Sequence, residues 1–317
     1  MSTESQYAFK LCRENLLRAP GMIEESERRL LFKAAYNCLD LPVVEFGTFF
    51  GASALALASG LASKGLNPNK VICIDAFEVS KDHGLHKHVI EFAKRCNGTG
   101  LLIQDDKKTN WLRITQAVLG EHLERVKLVP GIVDREFNTI VIPEMIGLLH
   151  LDLPKDARTI EPILKVAFPR LATNSVIAFQ DYAYQFSNEL IAFFELLEQE
   201  GHLQAIDIAA SSIYYRVTTQ DCASVDWGSI LWRSLQKQNI LITSAIRRYE
   251  KHRTYRSKEL VALRGAAIRA ESRNRIAASF EQQRAICRLI QEMMSIDPAH
   301  TGFVLAELFT EEVVEHH

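Results

Sequence analysis

No stretch of the 317-residue sequence approaches the roughly 18 consecutive apolar residues that a membrane-spanning helix needs. The N-terminus also lacks the charged-then-apolar order of a secretory signal peptide, so we expect a cytoplasmic protein with no membrane partner. Cysteine is sparse and forms no Cys-x-x-Cys pair, which argues against structural zinc and against a disulfide framework. The six cysteines are scattered along the chain: Cys12, Cys38, Cys73, Cys96, Cys222 and Cys287.

Acidic and basic residues nearly balance, at a net charge of −2, but they are unevenly distributed. Residues 231–290 hold 14 Lys and Arg against 4 acidic residues. This basic stretch falls on predicted long helices, which favours a solvated or subunit-contacting face. The alternative is a surface for an anionic partner such as a nucleic acid.

The order of predicted elements indicates the fold class. Two helices within 1–40 precede five short apolar runs of strand type, with helical segments between them. Residues 203–209 and 212–218 then form two strands only three residues apart, too close for a crossover helix, so they should pair antiparallel. We predict an α/β, Rossmann-like, doubly wound seven-stranded sheet with an antiparallel last strand over 41–220. A helical extension over 221–317 would serve packing or oligomerisation. The predicted runs are PVVEFG, VICIDAF, VKLVPGIV, IGLLHLDL and SVIAFQDY.

The dinucleotide fingerprint Gly-x-Gly-x-x-Gly is missing from the first strand–turn–helix unit, VVEFGTFFGAS. Instead Gly47 and Gly51 are four apart, a spacing that allows positive φ or close approach of a ligand. The helix that begins near Ser53 offers free N–H groups to an anion such as a carboxylate. Alone, this pattern also fits a tight loop with no ligand.

An acid ends the second predicted strand. Asp75 lies 24 residues after Gly51, close to the offset at which α/β nucleoside-binding folds place a ribose-binding carboxylate. Phe77 is placed either to flank an adenine or to join the core.

Further polar residues end the fourth and fifth predicted strands. His150 and Asp152 are two apart and share one strand face, while Gln180 and Asp181 end the next strand. Carboxylates at neighbouring strand ends could act as a general base or hold Mg²⁺. They could equally be ordinary strand-end polar groups.

Taken together, these motifs resemble the macrocin O-methyltransferase family of class I S-adenosylmethionine-dependent methyltransferases, over residues 20–220. The resemblance rests on Glu45-x-Gly47-x-x-x-Gly51-x-Ser53, Asp75-x-Phe77-Glu78, Leu149-His150-x-Asp152, Pro169-Arg170-Leu171 and Gln180-Asp181-Tyr182. It implies S-adenosylmethionine binding by the first two motifs and a divalent metal held by Asp152, Gln180 and Asp181. The implied cofactor residues are Glu45, Gly47, Thr48, Phe50, Gly51, Ser53, Asp75, Ala76, Phe77, Gly131 and Asp152.

The sequence departs from the family pattern where metal is expected. Gln180 replaces an acid, and Pro154 and Asp156 occupy positions where the family often has an acid and a tyrosine. Asp156 is a candidate substitute ligand. Asn174-Ser175 stands in place of the usual Gly-Gly before the fifth strand. The cofactor pattern is intact, whereas the Mg²⁺ pattern is altered.

We therefore expect an O-methyltransferase acting on a small hydroxylated acceptor, such as a sugar or natural product, with Asp152 as base and His150 as the alternative. The rival hypothesis is a catalytically impaired methyltransferase fold that acts as a scaffold through its basic helical extension. A nucleic-acid methyltransferase is disfavoured because no Asn/Asp-Pro-Pro-Tyr/Phe sequence follows the catalytic strand. We also expect a homo-oligomer through the helical regions.

The segment 79–125 is long for a link between two strands. We expect it to form a helical lid that selects the acceptor. It contains His83, His86 and His88, a weak pattern for zinc.

Overall fold

A computed structural model describes residues 3–65, 71–133, 142–153, 155–251, 257–273 and 280–314. The chain divides into two compact units. The first comprises Met1–Leu153, Val166–Ala178 and Gln220–Ala223, and the second comprises Pro154–Lys165, Phe179–Thr219 and Ser224–His317.

The first unit alternates helices with short buried strands. Its helices are α1 (Thr3–Arg18), α2 (Glu25–Asn37), α3 (Ala52–Ser63), α4 (Gly84–Arg95) and α5 (Leu112–Leu119). Its strands are β1 (Val43–Phe46), β2 (Val71–Asp75), β3 (Glu78–Ser80), β4 (Ile103–Gln104), β5 (Lys108–Asn110), β6 (Val126–Pro130), β7 (Ile146–Leu151) and most of β8 (Leu171–Phe179).

The second unit is mainly helical. It contains α6 (Ala157–Val166), α7 (Asn188–Gln199), β9 (Leu203–Ala209) and β10 (Ser212–Val217). The helices that follow are α8 (Trp227–Leu235), α9 (Gln238–Lys251), α10 (Ser257–Arg273), α11 (Phe280–Ile296) and α12 (Pro298–Val314).

Seven strands form one sheet in the order β6-β2-β1-β7-β8-β10-β9. Strand β1 pairs parallel with β2 and with β7, and β2 pairs parallel with β6. Strands β9 and β10 pair antiparallel, as the short link between them predicts. The predicted doubly wound sheet with an antiparallel finish is thus confirmed. Its central strands carry side chains that are buried on both faces, which explains their continuous apolar runs.

The segment after β2 differs from the predicted helical lid. Helices α4 and α5 are present, but three short strands form an additional antiparallel sheet in the order β3-β5-β4. These strands have two or three residues each and no apolar alternation, so periodicity could not reveal them. Buried aromatic and aliphatic side chains pack into a local core around them, including Trp111, Ile114 and Val89.

The strand β8 begins earlier than its apolar run. It starts at Leu171, four residues before the predicted run SVIAFQDY. Helix α6 ends at Val166, and a single 3-10 turn over Phe168–Arg170 leads into the strand. Within the strand, Asn174 adopts φ +67°, a conformation that glycine or asparagine tolerates best. This accounts for asparagine at a position where the related pattern has glycine.

The helical extension has more breaks than the sequence indicates. In place of the predicted long helices, residues 227–251 hold α8 and α9, and 257–314 hold α10, α11 and α12 within the described residues. Asp226 caps α8 by accepting a hydrogen bond from the Ser229 N–H at 2.9 Å. Val261, Met293 and Val304, one from each of the last three helices, lie together in a buried cluster.

A buried ion pair ties the extension to the rest of the second unit. Arg248 of α9 donates to the carboxylates of Glu195 and Glu198 on α7, and Glu195 also accepts from the Tyr182 hydroxyl. Glu195 is 1% exposed, and burial raises its pKa while Arg248 opposes that rise. The aromatic rings of Tyr182 and Tyr249 stack with centroids 5.8 Å apart. The basic extension is therefore an integral part of this unit.

Among the described residues, no helix combines the length and apolarity that crossing a bilayer would require.

The N-terminal helices are joined by a buried arginine. Arg28 of α2 donates to the carbonyl oxygens of Leu16, Ala19 and Ile23, and so satisfies groups at the end of α1 and in the following turn. Helix α2 itself begins with a reciprocal capping box between Glu24 and Glu27.

Replacing Arg28 by methionine should therefore destabilise the protein. The change leaves three buried carbonyl groups without their donor, at a cost of about 2–4 kcal/mol in the free energy of unfolding. Urea denaturation measures this, with the exposed neighbour Arg29→Met as the control. Equal stabilities for the two variants would contradict the structural role of Arg28.

Candidate functional site

The turn between β1 and α3 has an unusual backbone. Gly47, Phe49 and Gly51 have φ angles of +88°, +47° and +91°. A Cβ atom on Gly47 would lie 2.8 Å from the backbone nitrogen of Leu153, and one on Gly51 would lie 3.1 Å from Cγ2 of Thr115. Both glycines of the predicted Gly-x-x-x-Gly motif are thus required by the turn itself and by close approach of neighbouring chain segments.

Asp75 holds this turn to the end of β2. Its Oδ2 accepts hydrogen bonds from the N–H groups of Thr48 and Phe49, at 2.8 and 2.9 Å, and its Oδ1 accepts from the Phe77 N–H at 2.7 Å. The side chain is buried, which raises the pKa of its carboxyl, while these three N–H groups act to lower it. A carboxylate has about four acceptor positions, so the three bonds leave room for a ligand hydroxyl.

A second buried carboxylate holds the same turn. Glu45 is fully buried, and its Oε2 accepts from the Thr48 hydroxyl at 2.9 Å. Its Oε1 lies 2.9 Å from Nδ1 of His150. Glu45 and His150 are paired residues in the parallel register of β1 and β7, which brings them together. Burial raises the pKa of the neighbouring Cys73 thiol well above its usual value, and Glu45 adds to the rise.

Thr48 is therefore bound twice. Glu45 accepts from its hydroxyl and Asp75 accepts from its backbone N–H. His150, predicted as the alternative base, is 1% exposed and lies against Glu45, so its position is that of a support for the Glu45 carboxylate.

The aromatic residues of the predicted site lie in the core. Phe50 and Phe77 are fully buried in the cluster that also contains Trp111. The ring of Phe49 stacks on Phe50 with centroids 4.3 Å apart. The Phe49 carbonyl accepts from Trp111 Nε1 at 3.0 Å and from the Thr115 hydroxyl at 2.8 Å. Trp111 and Thr115 thus support the turn, although no sequence motif marks them.

The remaining predicted cofactor residues end parallel strands or begin α3. Ala76 is partly exposed directly after β2, and the Gly131 N–H donates to the Asp75 carbonyl at 2.9 Å after β6. Ser53 lies in the first turn of α3, where it is 4% exposed. Asp152 follows β7 with a partly exposed side chain, and its N–H donates to the Phe46 carbonyl at 2.9 Å. These residues share one edge of the first unit's parallel strands.

The predicted metal ligands in the second unit are uncharged or already have partners in the chain. Gln180 is 3% exposed and neutral, and the Asp181 carboxylate forms an ion pair with Lys155. Asp156, the candidate substitute ligand, instead caps α6, since its Oδ1 accepts from the Thr159 N–H at 2.8 Å. Over the described ranges, no group of three or more His, Cys, Asp or Glu side chains could hold a metal ion. This donor set does not fit the implied Mg²⁺.

The histidines between β3 and β5 have structural roles. Nδ1 of His83 accepts from the Leu85 N–H at 3.1 Å and so caps α4. Nε2 of His86 lies 3.1 Å from the Thr109 hydroxyl, while His88 is exposed.

Residues 44–182 match a family described as a methyltransferase domain, a span somewhat shorter than half the chain. No curated protein matches the sequence. Similar solved structures include the O-methyltransferase NovP, with a TM-score of 0.45 and 14% identity over 63% of this chain and 83% of that one. The TDP-rhamnose 3'-O-methyltransferase CalS11 has a TM-score of 0.39 and 16% identity, over 68% of this chain and 95% of that one. An O-methyltransferase from Bacillus cereus in complex with SAH has a TM-score of 0.37 and 14% identity, over 69% of this chain and 92% of that one.

The domain match places the turn described above within a methyltransferase domain, residues 44–182. The sheet order is that of a Rossmann-like α/β fold. The narrower macrocin O-methyltransferase family stays a resemblance.

Replacing Gly47 by alanine should destabilise the protein. The new methyl group would lie against the Leu153 backbone in a left-handed conformation, which costs at least about 2 kcal/mol in the free energy of unfolding. Thermal or urea denaturation measures this. Gly84→Ala is the matched control, because Gly84 begins α4 with nothing within 4 Å of the added Cβ. A Gly47 variant as stable as the control would contradict the close approach of the two segments.

Proposed function

We propose that the chain transfers a methyl group from S-adenosylmethionine to a hydroxyl oxygen of a small-molecule acceptor. The observation that carries the proposal is the turn 47–51, held between two buried carboxylates within a domain of methyltransferase type. The natural-product and sugar hydroxyls indicated by the sequence resemblance are the acceptor classes to examine first.

The charge of the site supports this cofactor over a dinucleotide. Glu45 lies one residue before the end of β1, Asp75 ends the adjacent parallel strand β2, and both carboxylates bind the same turn. Two carboxylates repel the phosphates of a dinucleotide, whereas they attract a ligand with sulfonium and ammonium cations. The remaining acceptor position on Asp75 suits a ribose hydroxyl.

S-adenosylmethionine, when bound, supplies an electrophilic methyl group on its sulfonium sulfur. The residues of the chain then have to bind, orient and remove a proton. Thr48 and its two carboxylate partners fix the turn, and Asp75 orients the ribose. Asp152, partly exposed at the end of β7, is the base that accepts the acceptor's hydroxyl proton on its carboxylate. His150 supports Glu45 and through it the turn.

The scaffold hypothesis receives no specific support. Arginines of the basic extension form ion pairs within the chain: Arg233 with Glu200, Arg248 with Glu195 and Glu198, and Arg264 with Glu250 and Glu292. These cations are used for intramolecular packing, which leaves less charge for an anionic partner.

Calorimetry with S-adenosylmethionine tests the cofactor assignment. We expect the wild-type chain to bind, and Asp75→Asn to bind at least about tenfold more weakly, because an amide cannot replace a carboxylate that serves three N–H donors. Asp105→Asn is the matched control, since the exposed Asp105 also accepts from backbone N–H groups, those of Lys107 and Lys108. Absence of binding at millimolar cofactor would refute the proposed function, and equal affinities for both variants would refute the role of Asp75.

Transfer of a labelled methyl group tests the base. The chain would be incubated with methyl-labelled S-adenosylmethionine and a panel of sugars, sugar nucleotides and phenols. For an acceptor that becomes labelled, Asp152→Asn should lower kcat by about 10²–10⁴-fold, the usual contribution of a general base. An unchanged kcat would exclude Asp152 as the base.

A further inference from the structure

The ion pair between Lys155 and Asp181 lies where the sequence resemblance places a divalent metal. Lys155 lies three residues beyond Asp152 in the chain, and Asp181 follows β8 with a φ angle of +55°. Their side chains are 34% and 30% exposed. Both residues belong to the second unit, and the lysine ammonium contacts Oδ2 of the aspartate directly.

The ammonium group and a metal ion would compete for the same oxygen atoms. A divalent cation bound at Asp181 would meet a positive charge at contact distance, and like charges this close repel strongly. To admit the metal, Lys155 would have to leave its partner.

The neighbouring oxygen donors do not compensate for this competition. Gln180 contributes no negative charge, and Oδ1 of Asp156 accepts from the N–H and the hydroxyl of Thr159, both at 2.8 Å. A hard cation such as Mg²⁺ depends on carboxylate charge for its affinity. Among the described residues of the second unit, Asp181 is the acid that follows β8, and its carboxylate already has a cation.

We propose that Lys155 replaces the divalent metal at Asp181, so that the chain needs no Mg²⁺. The inference rests on the proposed methyl transfer and deepens it, because it assigns the positive charge beside Asp181 to a residue of the chain. Lys155 acts as a positioning residue that fixes the Asp181 carboxylate in its left-handed turn.

Binding of Mn²⁺, a paramagnetic substitute for Mg²⁺ with the same preference for oxygen ligands, tests the inference without any acceptor. The full chain is stripped with EDTA, and free Mn²⁺ is measured by electron paramagnetic resonance during titration. We expect no binding by the wild type below about 1 mM, because the Lys155 ammonium occupies the Asp181 carboxylate and repels a second cation. Lys155→Met frees the Asp181 carboxylate and should bind Mn²⁺ at least about tenfold more tightly.

Lys165→Met is the matched control, because Lys165 also pairs with a carboxylate, that of Glu161, on α6. It should bind Mn²⁺ as the wild type does. Lys155→Gln provides a second variant should the methionine protein fail to fold. One tightly bound Mn²⁺ in the wild type, or no gain in a folded Lys155 variant, would overturn the inference. Calorimetry of the wild type with S-adenosylmethionine reports separately on the proposed function.

Discussion

The geometry of the candidate site depends on how Thr48 is held. Two carboxylates, Glu45 from β1 and Asp75 from β2, accept hydrogen bonds from its side chain and its backbone, and they lie on adjacent parallel strands. Buried carboxylates are costly unless hydrogen-bonded, so the turn and the acids stabilise each other. The left-handed residues of the turn then follow, since only a sharply bent chain can present both groups of Thr48 to the two strands.

The helical extension is also held by a buried carboxylate with several hydrogen-bond donors. The buried carboxylate of Glu195 accepts hydrogen bonds from Arg248 of α9 and from the hydroxyl of Tyr182, the residue after Asp181. Removing one partner of such a pair leaves an uncompensated buried charge, which is why the extension and the strand end are interdependent. The extension is basic in sequence, and three of its arginines, Arg233, Arg248 and Arg264, pair with acids of the same chain.

The strands β1, β2, β6, β7, β9 and β10 could be predicted from short apolar runs, and the antiparallel finish follows because only Ala210 and Ser211 lie between β9 and β10. The hydrogen bonds that hold the turn could not be predicted, because Asp75 accepts them from backbone N–H groups, which no pattern of side chains reveals. The support that Trp111 and Thr115 give to the turn could not be predicted either. Both residues are more than 60 positions from Phe49 in the sequence, and no motif marks the segment in which they lie. The capping role of Asp156 had a readable signal, a threonine three residues later at a helix start.

The turn 47–51 has a thermodynamic consequence. Its backbone groups are held by Asp75, Trp111 and Thr115 through hydrogen bonds within the chain itself. A loop that is already ordered loses little conformational entropy when a ligand arrives, so more of the contact energy appears as affinity. Preorganisation of this kind favours rapid exchange of a spent cofactor for a fresh one, because neither arrival nor departure requires the turn to refold.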